Sequence, residues 1–381
     1  MKVALVYDRV NKWGGAERVL LTLHEMFPEA PLFTSVYDEA KAPWAKVFPK
    51  VYTSFLQWVP FAKSNHEFFG WLMPFIFEGF SFDDYGLVIS VTSEAAKGII
   101  TKPKTKHICY CLTPTRYLWS HYDLYFKNPI IRFISKPIVK YLRNWDKVAS
   151  QRPDRVIAIS TEVKKRIKKY YDRESEVIFP PVSFTSHQPP VTNHVTQKHF
   201  LVVSRLVPYK RVDLAIKAFN KLRHTLVIVG SGSEEKRLKS MSRSKNIKFV
   251  GQVSEEELIK YYKGARALIM PQEEEFGIVS VEAQSFGVPP VAYQKGGVKD
   301  TVIDGKTGIF FDSQTPESLI GAIRKFDKWC PDKEELITGA KRFSKERFQK
   351  SFIRACFGGR WRDQTLANVK RKNPKTIFTP F

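Results

Sequence analysis

The residues from Pro271 to Gly297, PQEEEFGIVSVEAQSFGVPPVAYQKGG, combine the signals of a strand end, an acidic loop and a short helix. An apolar run, Ala265 to Pro271, predicts a strand that leads into the acidic loop. Phe276-Gly277 then predicts the start of a helix that ends at Gly287, a residue type suited to the left-handed position after a helix. The predicted helix therefore begins where a strand ends, which is where open α/β sheets bind their ligands.

The start of this helix is suited to a phosphate group. Free backbone N–H groups from Gly277 to Val279 would point outward with the positive end of the helix dipole. Glu274 precedes that end and Glu282 lies inside the helix, where each carboxylate could accept hydrogen bonds from hydroxyls without a metal. A phosphate flanked by hydroxyls describes a sugar nucleotide. The alternative is that the acidic residues only complement the dipole and that Glu282 faces solvent.

Length and composition predict two α/β domains. At 381 residues the chain exceeds one typical core, and its 43% of hydrophobic residues is enough to fill two. Strand and helix patterns alternate on both sides of a stretch rich in Ser, Thr, His and Pro, which predicts two doubly wound domains with a shared ligand cleft. The predicted boundaries are an N-terminal domain over 1–185, a linker over 186–198, a C-terminal domain over 199–345 and a basic tail over 346–381 that packs back towards the first domain.

The net charge of +24 is the outlying feature of the composition, and it indicates an anionic partner. The segment from Lys341 to Phe381 carries twelve lysines and arginines against two acidic residues. A second basic stretch, Lys127 to Lys147, places cations among Ile, Phe, Tyr and Trp at helical intervals, a pattern typical of membrane-surface helices. A solvated helix face is the alternative. No recognised nucleic-acid motif accompanies the charge, so the expected partner is an anionic membrane and not a nucleic acid.

The sequence predicts a cytoplasmic protein. Met1 to Tyr7 runs directly into a strand pattern, so no signal peptide is expected. The nearest candidate for a transmembrane span, Phe68 to Phe77, is ten residues long and contains Gly70 and Pro74. The four cysteines show neither zinc spacing nor a disulfide framework, which fits a reducing compartment.

Three further loops follow predicted strands and carry candidate ligand-binding residues. Gly14-Gly15 follows the first strand and would allow the close approach of a ligand, with a simple tight turn as the alternative. Arg205 and Lys210 follow the first strand of the second domain, where they could neutralise a diphosphate. The loop after the strand from His107 to Cys111 could supply donors and a stacking face for a saccharide acceptor, or core aromatics with a surface arginine. Its candidate acceptor-binding residues are Arg116, Tyr117 and Trp119.

Gly230-Ser-Gly232-Ser-Glu-Glu235 begins like a dinucleotide-binding fingerprint. Glu235 stands where a third glycine or alanine is needed, so the stretch supports a nicotinamide site only weakly. The loop of Arg205 and Lys210 is the stronger phosphate signal in this domain.

These motifs resemble those of the retaining glycosyltransferases of family 4, and the resemblance covers essentially the whole chain. In that family two glutamates separated by seven residues form the signature, which the residues EEEFGIVSVEA match at Glu274 and Glu282. The other ordered matches are the basic pair Arg205 and Lys210, the N-terminal glycine loop Gly14-Gly15-Ala16-Glu17 and the later glycine pair Gly296-Gly297.

The resemblance implies the GT-B architecture of two facing Rossmann-like domains and a retaining hexosyltransferase that needs no metal or other cofactor. Its implied catalytic residues are Glu274, Arg205 and Lys210, with the two cations on the donor diphosphate and Glu274 on the transferred sugar. Glu282 would hold the ribose. The other implied donor contacts are Gly14, Gly15, Gln252, Val253, Phe276, Gly277, Ile278 and Val279. The chain has no Asp-x-Asp triplet, which agrees with a metal-independent reaction.

The segment Tyr110 to Trp119, YCLTPTRYLW, is similar to a subgroup that acts on polysaccharide and O-antigen chains, several of whose members use GDP-mannose. The resemblance thus implies a GDP- or UDP-sugar donor, with GDP-mannose first. It also implies a lipid-linked or growing saccharide acceptor at the inner face of the cell membrane. Leu112 departs from the subgroup, which usually has histidine before Thr-Pro. A sugar-nucleotide-binding protein without transferase activity is therefore an alternative, and a basic nucleic-acid-binding protein is a more distant one.

Overall fold

The computed structural model describes residues 1–64, 66–182 and 198–358, which form two α/β units. The first unit comprises Met1–Phe179 and the described residues from Gln349 onward, and the second comprises the described part of Pro180–Phe348. The predicted linker over 186–198, apart from Lys198, lies outside the described residues. The part of the predicted basic tail beyond Gly358 lies outside them too.

The first unit is built on a seven-stranded parallel sheet with the strand order β3-β2-β1-β4-β5-β6-β7. Its short buried strands are rich in Val, Ile, Leu and Cys, as expected for a parallel sheet covered on both faces. The strands are β1 (Val3–Tyr7), β2 (Leu32–Thr34), β3 (Val51–Thr53), β4 (Leu87–Thr92), β5 (Lys106–Cys111), β6 (Arg155–Ala158) and β7 (Glu176–Val177). The helices are α1 (Gly15–Met26), α2 (Met73–Glu78), α3 (Tyr122–Tyr125), α4 (Pro129–Gln151) and α5 (Thr161–Tyr171).

The second unit is built on a six-stranded parallel sheet with the order β10-β9-β8-β11-β12-β13. Its strands are β8 (His199–Val203), β9 (Leu226–Val229), β10 (Ile247–Gly251), β11 (Ala265–Met270), β12 (Pro290–Tyr293) and β13 (Ile309–Phe311). Its helices are α6 (Val212–Phe219), α7 (Glu235–Met241), α8 (Glu255–Lys263), α9 (Ile278–Ser285), α10 (Val298–Thr301), α11 (Pro316–Asp327) and α12 (Lys333–Ala340). The two parallel sheets with their helices confirm the predicted α/β fold class.

Both faces of the second sheet are covered. Phe200 and Val202 belong to one buried cluster, while the intervening Leu201 belongs to another. Helix α8 begins after Ser254, whose hydroxyl accepts the Glu257 N–H at 3.3 Å while the Glu257 carboxylate accepts the Ser254 N–H at 3.0 Å. This capping box satisfies backbone donors that the start of a helix leaves free.

The last described helix, α13 (Lys345–Phe357), places its final turns in the first unit. Phe352 packs edge-to-face on Tyr110 of β5, with ring centroids 5.9 Å apart. Lys106 and Arg155 donate to the carbonyl groups of Cys356 and Ala355 at 2.6 and 3.0 Å. Cations at these carbonyls complement the negative end of the helix dipole. Within the described ranges, none of the helices combines the length and the apolar composition required to cross a membrane.

Candidate active site

The candidate site of the second unit lies where the strand order of its sheet reverses. β8 and β11 are neighbours, paired in parallel through Leu201 and Leu268, and the chain builds the sheet outward in opposite directions from them. Loops that leave two such strands at their carboxyl ends diverge and open a crevice. The loop after β8 carries Arg205 and Lys210, and the loop after β11 carries Glu274.

The structure brings Lys210 and Glu274 together. Lys210 ends a short 3-10 helix, Pro208–Lys210, and its Nζ lies 2.5 Å from Glu274 Oε1. Gln272 donates to the same carboxylate oxygen at 2.7 Å. The side chains of the ion pair are only 15% and 16% exposed, so the pair is largely shielded from water. The sequence did not single out Gln272.

Arg205 and Lys210 flank one aromatic ring that the motif search missed. The Arg205 guanidinium is exposed and donates to the hydroxyl of Tyr209. The guanidinium carbon lies 6.0 Å and the Lys210 Nζ lies 5.6 Å from the centre of the Tyr209 ring. Cation–π attraction therefore helps to hold both cations at the end of β8.

Gly230 and Gly232 allow the loop after β9 to pack against the backbone of the basic loop. Gly230 has φ +130, and a Cβ atom there would lie 1.9 Å from the Ser204 carbonyl oxygen. A Cβ atom on Gly232 would lie 2.3 Å from the carbonyl oxygen of Leu206. The next helix begins only at Glu235. The glycines of this partial fingerprint thus support the basic loop.

Helix α9 begins as predicted at the end of the acidic loop. Gly277 precedes it with φ 89, a conformation that favours glycine, and Gly287 follows it with φ 69. Phe276 is buried and packs edge-to-face on Phe343, with ring centroids 5.3 Å apart. This contact fixes where the first backbone N–H groups of the helix, those of Ile278 and Val279, are presented.

Glu282 is buried inside the unit, so the alternative that it faces solvent is wrong. Its side chain accepts a hydrogen bond from the Tyr262 hydroxyl at 2.8 Å, and the residue is 1% exposed. Tyr262 lies on α8 and stacks on Phe286, with ring centroids 5.5 Å apart. The assignment of Glu282 to the ribose stays a prediction.

The glycine pair Gly296-Gly297 packs directly on the acidic loop. Gly297 N–H donates to the Glu274 carbonyl at 2.7 Å, and a Cβ atom on Gly297 would lie 2.0 Å from the carbonyl oxygen of Glu275. A Cβ atom on Gly296 would lie 2.3 Å from the Glu274 carbonyl oxygen. The pair therefore determines the backbone position of Glu274.

Gly297→Ala is expected to lower the free energy of unfolding of the second unit by about 1–3 kcal/mol, because the added methyl group forces the acidic loop away. Gly321→Ala is the matched control: that helical glycine has open space around it, so alanine should stabilise the unit by about 0.5–1 kcal/mol. Denaturant titration of both variants gives the two values. Equal effects of the two substitutions would contradict the packing role of Gly297.

Gln252 and Val253 follow β10 on the same edge of the sheet. Gln252 is exposed, and Val253 is half-buried against the core. The preceding Gly251 has φ 74, and its carbonyl accepts the N–H of Gly230 at 2.7 Å. The loops after β9 and β10 are thus joined through their backbones, and contact of Gln252 and Val253 with the base stays a prediction.

In the first unit, Gly14 precedes α1 and Gly15 is its first residue, beside the point where that sheet reverses between β1 and β4. A Cβ atom on Gly14 would lie 3.1 Å from Glu17 Oε2. Glu17 is buried and accepts the hydroxyl of Tyr7 at 2.7 Å. This buried hydrogen bond joins the first turn of α1 to the end of β1, and the contact of Gly14 and Gly15 with a donor stays a prediction.

Trp119, Arg116 and Tyr117 lie in the loop after β5. The indole N–H of Trp119 donates to buried Asp146 at 2.7 Å, and the ring stacks on Tyr170 with centroids 5.2 Å apart. Arg116 and Tyr117 are half-buried, and burial raises the pKa of the Tyr117 hydroxyl well above its ordinary value. All three stay predicted acceptor-binding residues.

Asp146, which the sequence did not single out, is the centre of a buried polar network beneath this loop. It accepts hydrogen bonds from the hydroxyls of Tyr171 at 2.7 Å and Thr115 at 3.1 Å, and its Oδ1 lies 2.6 Å from the Nζ of buried Lys97. The partners come from separated parts of the chain, so no local motif reveals them. The network anchors the loop after β5.

Comparison with known proteins finds a family match in the second half of the chain. Residues 184–343 match the model of the family Glycosyl transferases group 1. The D-inositol 3-phosphate glycosyltransferase of Acidothermus cellulolyticus is 34% identical over 160 residues, which are 37% of this chain and 35% of that protein.

A second relative is the GDP-mannose-dependent alpha-(1-6)-phosphatidylinositol monomannoside mannosyltransferase of Mycolicibacterium smegmatis. It is 34% identical over 138 residues, which are 32% of this chain and 36% of that protein. The chain thus spans about a third of the length of both relatives.

Among solved structures, Anabaena HepE in complex with UDP and glucose matches with a TM-score of 0.68 and 18% identity, over 93% of this chain and 99% of that chain. The likeness shows the fold and confirms the predicted GT-B class of two Rossmann-like domains.

Proposed function

We propose that the protein is a retaining, metal-independent hexosyltransferase that transfers a sugar from a GDP- or UDP-sugar to a hydroxyl of a lipid-linked or growing polysaccharide. The donor proposed first is GDP-mannose, and the proposed place is the cytoplasmic face of the membrane. The observation that carries the proposal is the Lys210–Glu274 ion pair at the strand reversal of the unit that matches the glycosyltransferase family. It joins a cation suited to a diphosphate and a carboxylate suited to sugar hydroxyls.

In this proposal the main catalytic task is electrostatic. The donor diphosphate gains negative charge as the sugar–oxygen bond breaks, and Arg205 and Lys210 stabilise that charge from positions already held by Tyr209. The N–H groups at the start of α9 add the positive end of a helix dipole. The acceptor hydroxyl attacks the anomeric carbon, and the departing diphosphate oxygen takes its proton.

Glu274 orients the transferred sugar. Its Oε1 is already occupied by Lys210 and Gln272, which fixes the carboxylate before a donor binds. A fixed carboxylate loses little conformational entropy when it accepts hydrogen bonds from the sugar, which favours precise placement of the anomeric carbon. On the acceptor side, the loop of Arg116, Tyr117 and Trp119 is held by Asp146 beneath it.

Two similar proteins support a nucleotide-sugar donor. One relative is named as GDP-mannose-dependent, and one structural neighbour was crystallised with UDP and glucose. The two differ in the base, and the exposed Gln252 beside Val253 is where we propose that the base is read.

The donor proposal is tested by thermal shift with GDP-mannose, GDP, UDP-glucose and UDP, since stabilisation follows ligand affinity. Either the two guanine nucleotides or the two uracil nucleotides should raise the melting temperature. With an acceptor present, the protein should release the nucleoside diphosphate from the sugar nucleotide at a rate that EDTA does not change. A protein that binds none of the four, or releases no diphosphate with any acceptor offered, contradicts the proposal. Binding without transfer would instead favour the non-catalytic alternative, to which Leu112 at the end of β5 points.

A further inference from the structure

Helix α4 is exposed and apolar over its first half. It begins directly after Asn128, whose side chain accepts the N–H groups of Ile130 and Ile131, and its buried residues begin only at Val139. The most exposed large apolar side chains of the first half are Ile130 (67%), Ile131 (55%), Phe133 (72%) and Ile134 (67%). Single exposed apolar residues are common on protein surfaces, but four within two helical turns indicate a binding surface.

A cationic pocket of about 330 Å³ adjoins this apolar surface. Its lining residues are Trp119, Tyr122, Lys136, Val139, Lys140, Arg143, Asn144 and Lys147. The pocket therefore contains four cations and no carboxylate. Among the described residues, none of these four cations forms an ion pair. Asp146, the nearby acidic residue of α4, is buried and bonded to Lys97.

Aromatic rings and a carbonyl group hold part of this charge in place. Arg143 Nε donates to the Leu118 carbonyl at 2.7 Å, and its guanidinium carbon lies 4.9 Å from the centre of the Tyr122 ring. Lys147 Nζ lies 5.6 Å from the centre of the Trp119 ring. Aromatic rings and a carbonyl group thus hold two of the pocket's cations in place, and an anion is the complementary ligand.

The exposed apolar residues identify the source of that anion. Phe133 and Ile134 stand about one turn before Lys136 and about two turns before Lys140 on the same helix, so one ligand surface must present both hydrocarbon and negative charge. A soluble phosphate or a nucleic-acid backbone has no hydrocarbon for the isoleucines, whereas an anionic bilayer has both.

We propose that the first half of α4 docks onto an anionic phospholipid bilayer and that the cationic pocket takes the phosphate of a lipid headgroup. The inference deepens the lipid-linked acceptor in the proposed function, because a docked α4 would keep the enzyme at the surface where such an acceptor lies. Lipid docking itself does not require sugar transfer.

A second exposed surface of the first unit adjoins α4. Trp58, Phe61 and Phe68 are 87%, 81% and 79% exposed. In the same segment, Gly70, Met73 and Pro74 line a small cavity together with Leu142 and Trp145 of α4. Aromatic side chains at the level of lipid headgroups are typical of membrane-interface elements, so this segment extends the proposed docking surface.

The test is co-sedimentation of the full chain with vesicles of phosphatidylglycerol and phosphatidylcholine, compared with vesicles of phosphatidylcholine alone. Wild type should bind the anionic vesicles and not the neutral ones. Lys136→Gln/Lys140→Gln should weaken that binding about 20- to 30-fold, since each cation near an anionic surface strengthens binding several-fold. Lys236→Gln/Lys245→Gln removes the same charge from exposed, unpaired positions of the second unit and should have at most a small effect.

A second pair of substitutions, Phe133→Ser/Ile134→Ser, separates the bilayer from soluble anions. These exposed side chains can change without loss of core packing, and vesicle binding should fall at least tenfold. Equal loss with the two lysine pairs, or no binding of wild type to anionic vesicles, overturns the proposal. The proposal is also overturned if the protein binds inorganic diphosphate or DNA but does not bind vesicles.

Donor-induced thermal stabilisation, measured on the same variants, keeps the two proposals apart. α4 carries none of the predicted donor-binding residues, most of which belong to the other unit, so GDP- or UDP-sugar stabilisation should be unchanged by the α4 substitutions. Vesicle binding that survives when no nucleotide sugar binds would leave docking intact and contradict only the proposed function.

Discussion

Lys210→Ala is expected to lower kcat/KM for sugar transfer by about two to three orders of magnitude, the usual effect of removing one preorganised group that stabilises developing negative charge. Lys210 Nζ is held between Glu274 and the Tyr209 ring, so its charge needs no reorganisation when the diphosphate departs. Steady-state kinetics with the donor identified by thermal shift provide the measurement. Lys236→Ala, an exposed lysine of the same unit, is the matched control and should retain wild-type kinetics.

Binding of the free nucleoside diphosphate separates two possible roles of Lys210. If Lys210 contacts the diphosphate, Lys210→Ala weakens GDP or UDP binding, whereas Glu274→Gln leaves it unchanged or tightens it by removing a negative charge. Glu274→Gln should still impair use of the intact sugar nucleotide, because the carboxylate is proposed to hold the sugar. A Lys210→Ala protein that binds the diphosphate like wild type would contradict direct contact and leave Lys210 as a positioning residue for Glu274.

Lys97→Met is expected to lower the free energy of unfolding of the first unit by about 3–5 kcal/mol, because it leaves Asp146 as a buried charge without its cation. The side chains of Lys97 and Asp146 are 3% and 1% exposed, with Nζ 2.6 Å from Oδ1. Lys102 and Asp83 form a matched control pair at 2.7 Å with about half-exposed side chains, and Lys102→Met should cost about 0–1 kcal/mol. Guanidinium titration of the two variants gives the comparison.

The pH dependence of this pair follows from the pKa of Lys97. Burial is the largest influence and lowers that pKa, but the attraction and hydrogen bond of Asp146, together with Cys111 and Asp8, outweigh it, and the net pKa lies above the ordinary value for lysine. A group whose pKa is raised by folding stabilises the protein fully below its unfolded pKa and loses that contribution as the pH rises through the folded value. The difference between wild type and Lys97→Met should therefore be constant around neutral pH and shrink only in strong alkali. Equal costs of Lys97→Met and Lys102→Met would contradict the role of the buried pair.

The sequence predicted those features of the fold and site that depend on short stretches. The strand before Glu274, the start of α9 at the end of the acidic loop and the left-handed glycine after that helix are local signals, and the structure confirms each of them. The sequence placed Lys210 and Glu274 each after a strand of the second domain. Their contact became evident only from the pairing of β8 with β11, which brings the two loops to one edge of the sheet.

Contacts between distant residues could not be predicted in the same way. Glu282 gave no local sign that Tyr262, on another helix, would bond to it inside the core. In the sequence, Asp146 is one charged residue on an amphipathic helix. Only the fold shows that Lys97 lies against it. The glycines of the Gly230 stretch were compared with a dinucleotide fingerprint, although their role depends on the backbone of a loop about 25 residues earlier.

The backbone contacts among the loops after β8, β9 and β10 have a consequence for redesign of donor choice. Gly230 packs closely against the Ser204 carbonyl group, and its N–H donates to the Gly251 carbonyl. Backbone contacts thus connect these three loops. Replacing only the loop of Gln252 and Val253 with that of a related enzyme would disrupt these backbone contacts. An exchange of base preference between related enzymes should therefore transfer all three loops together as a single cassette.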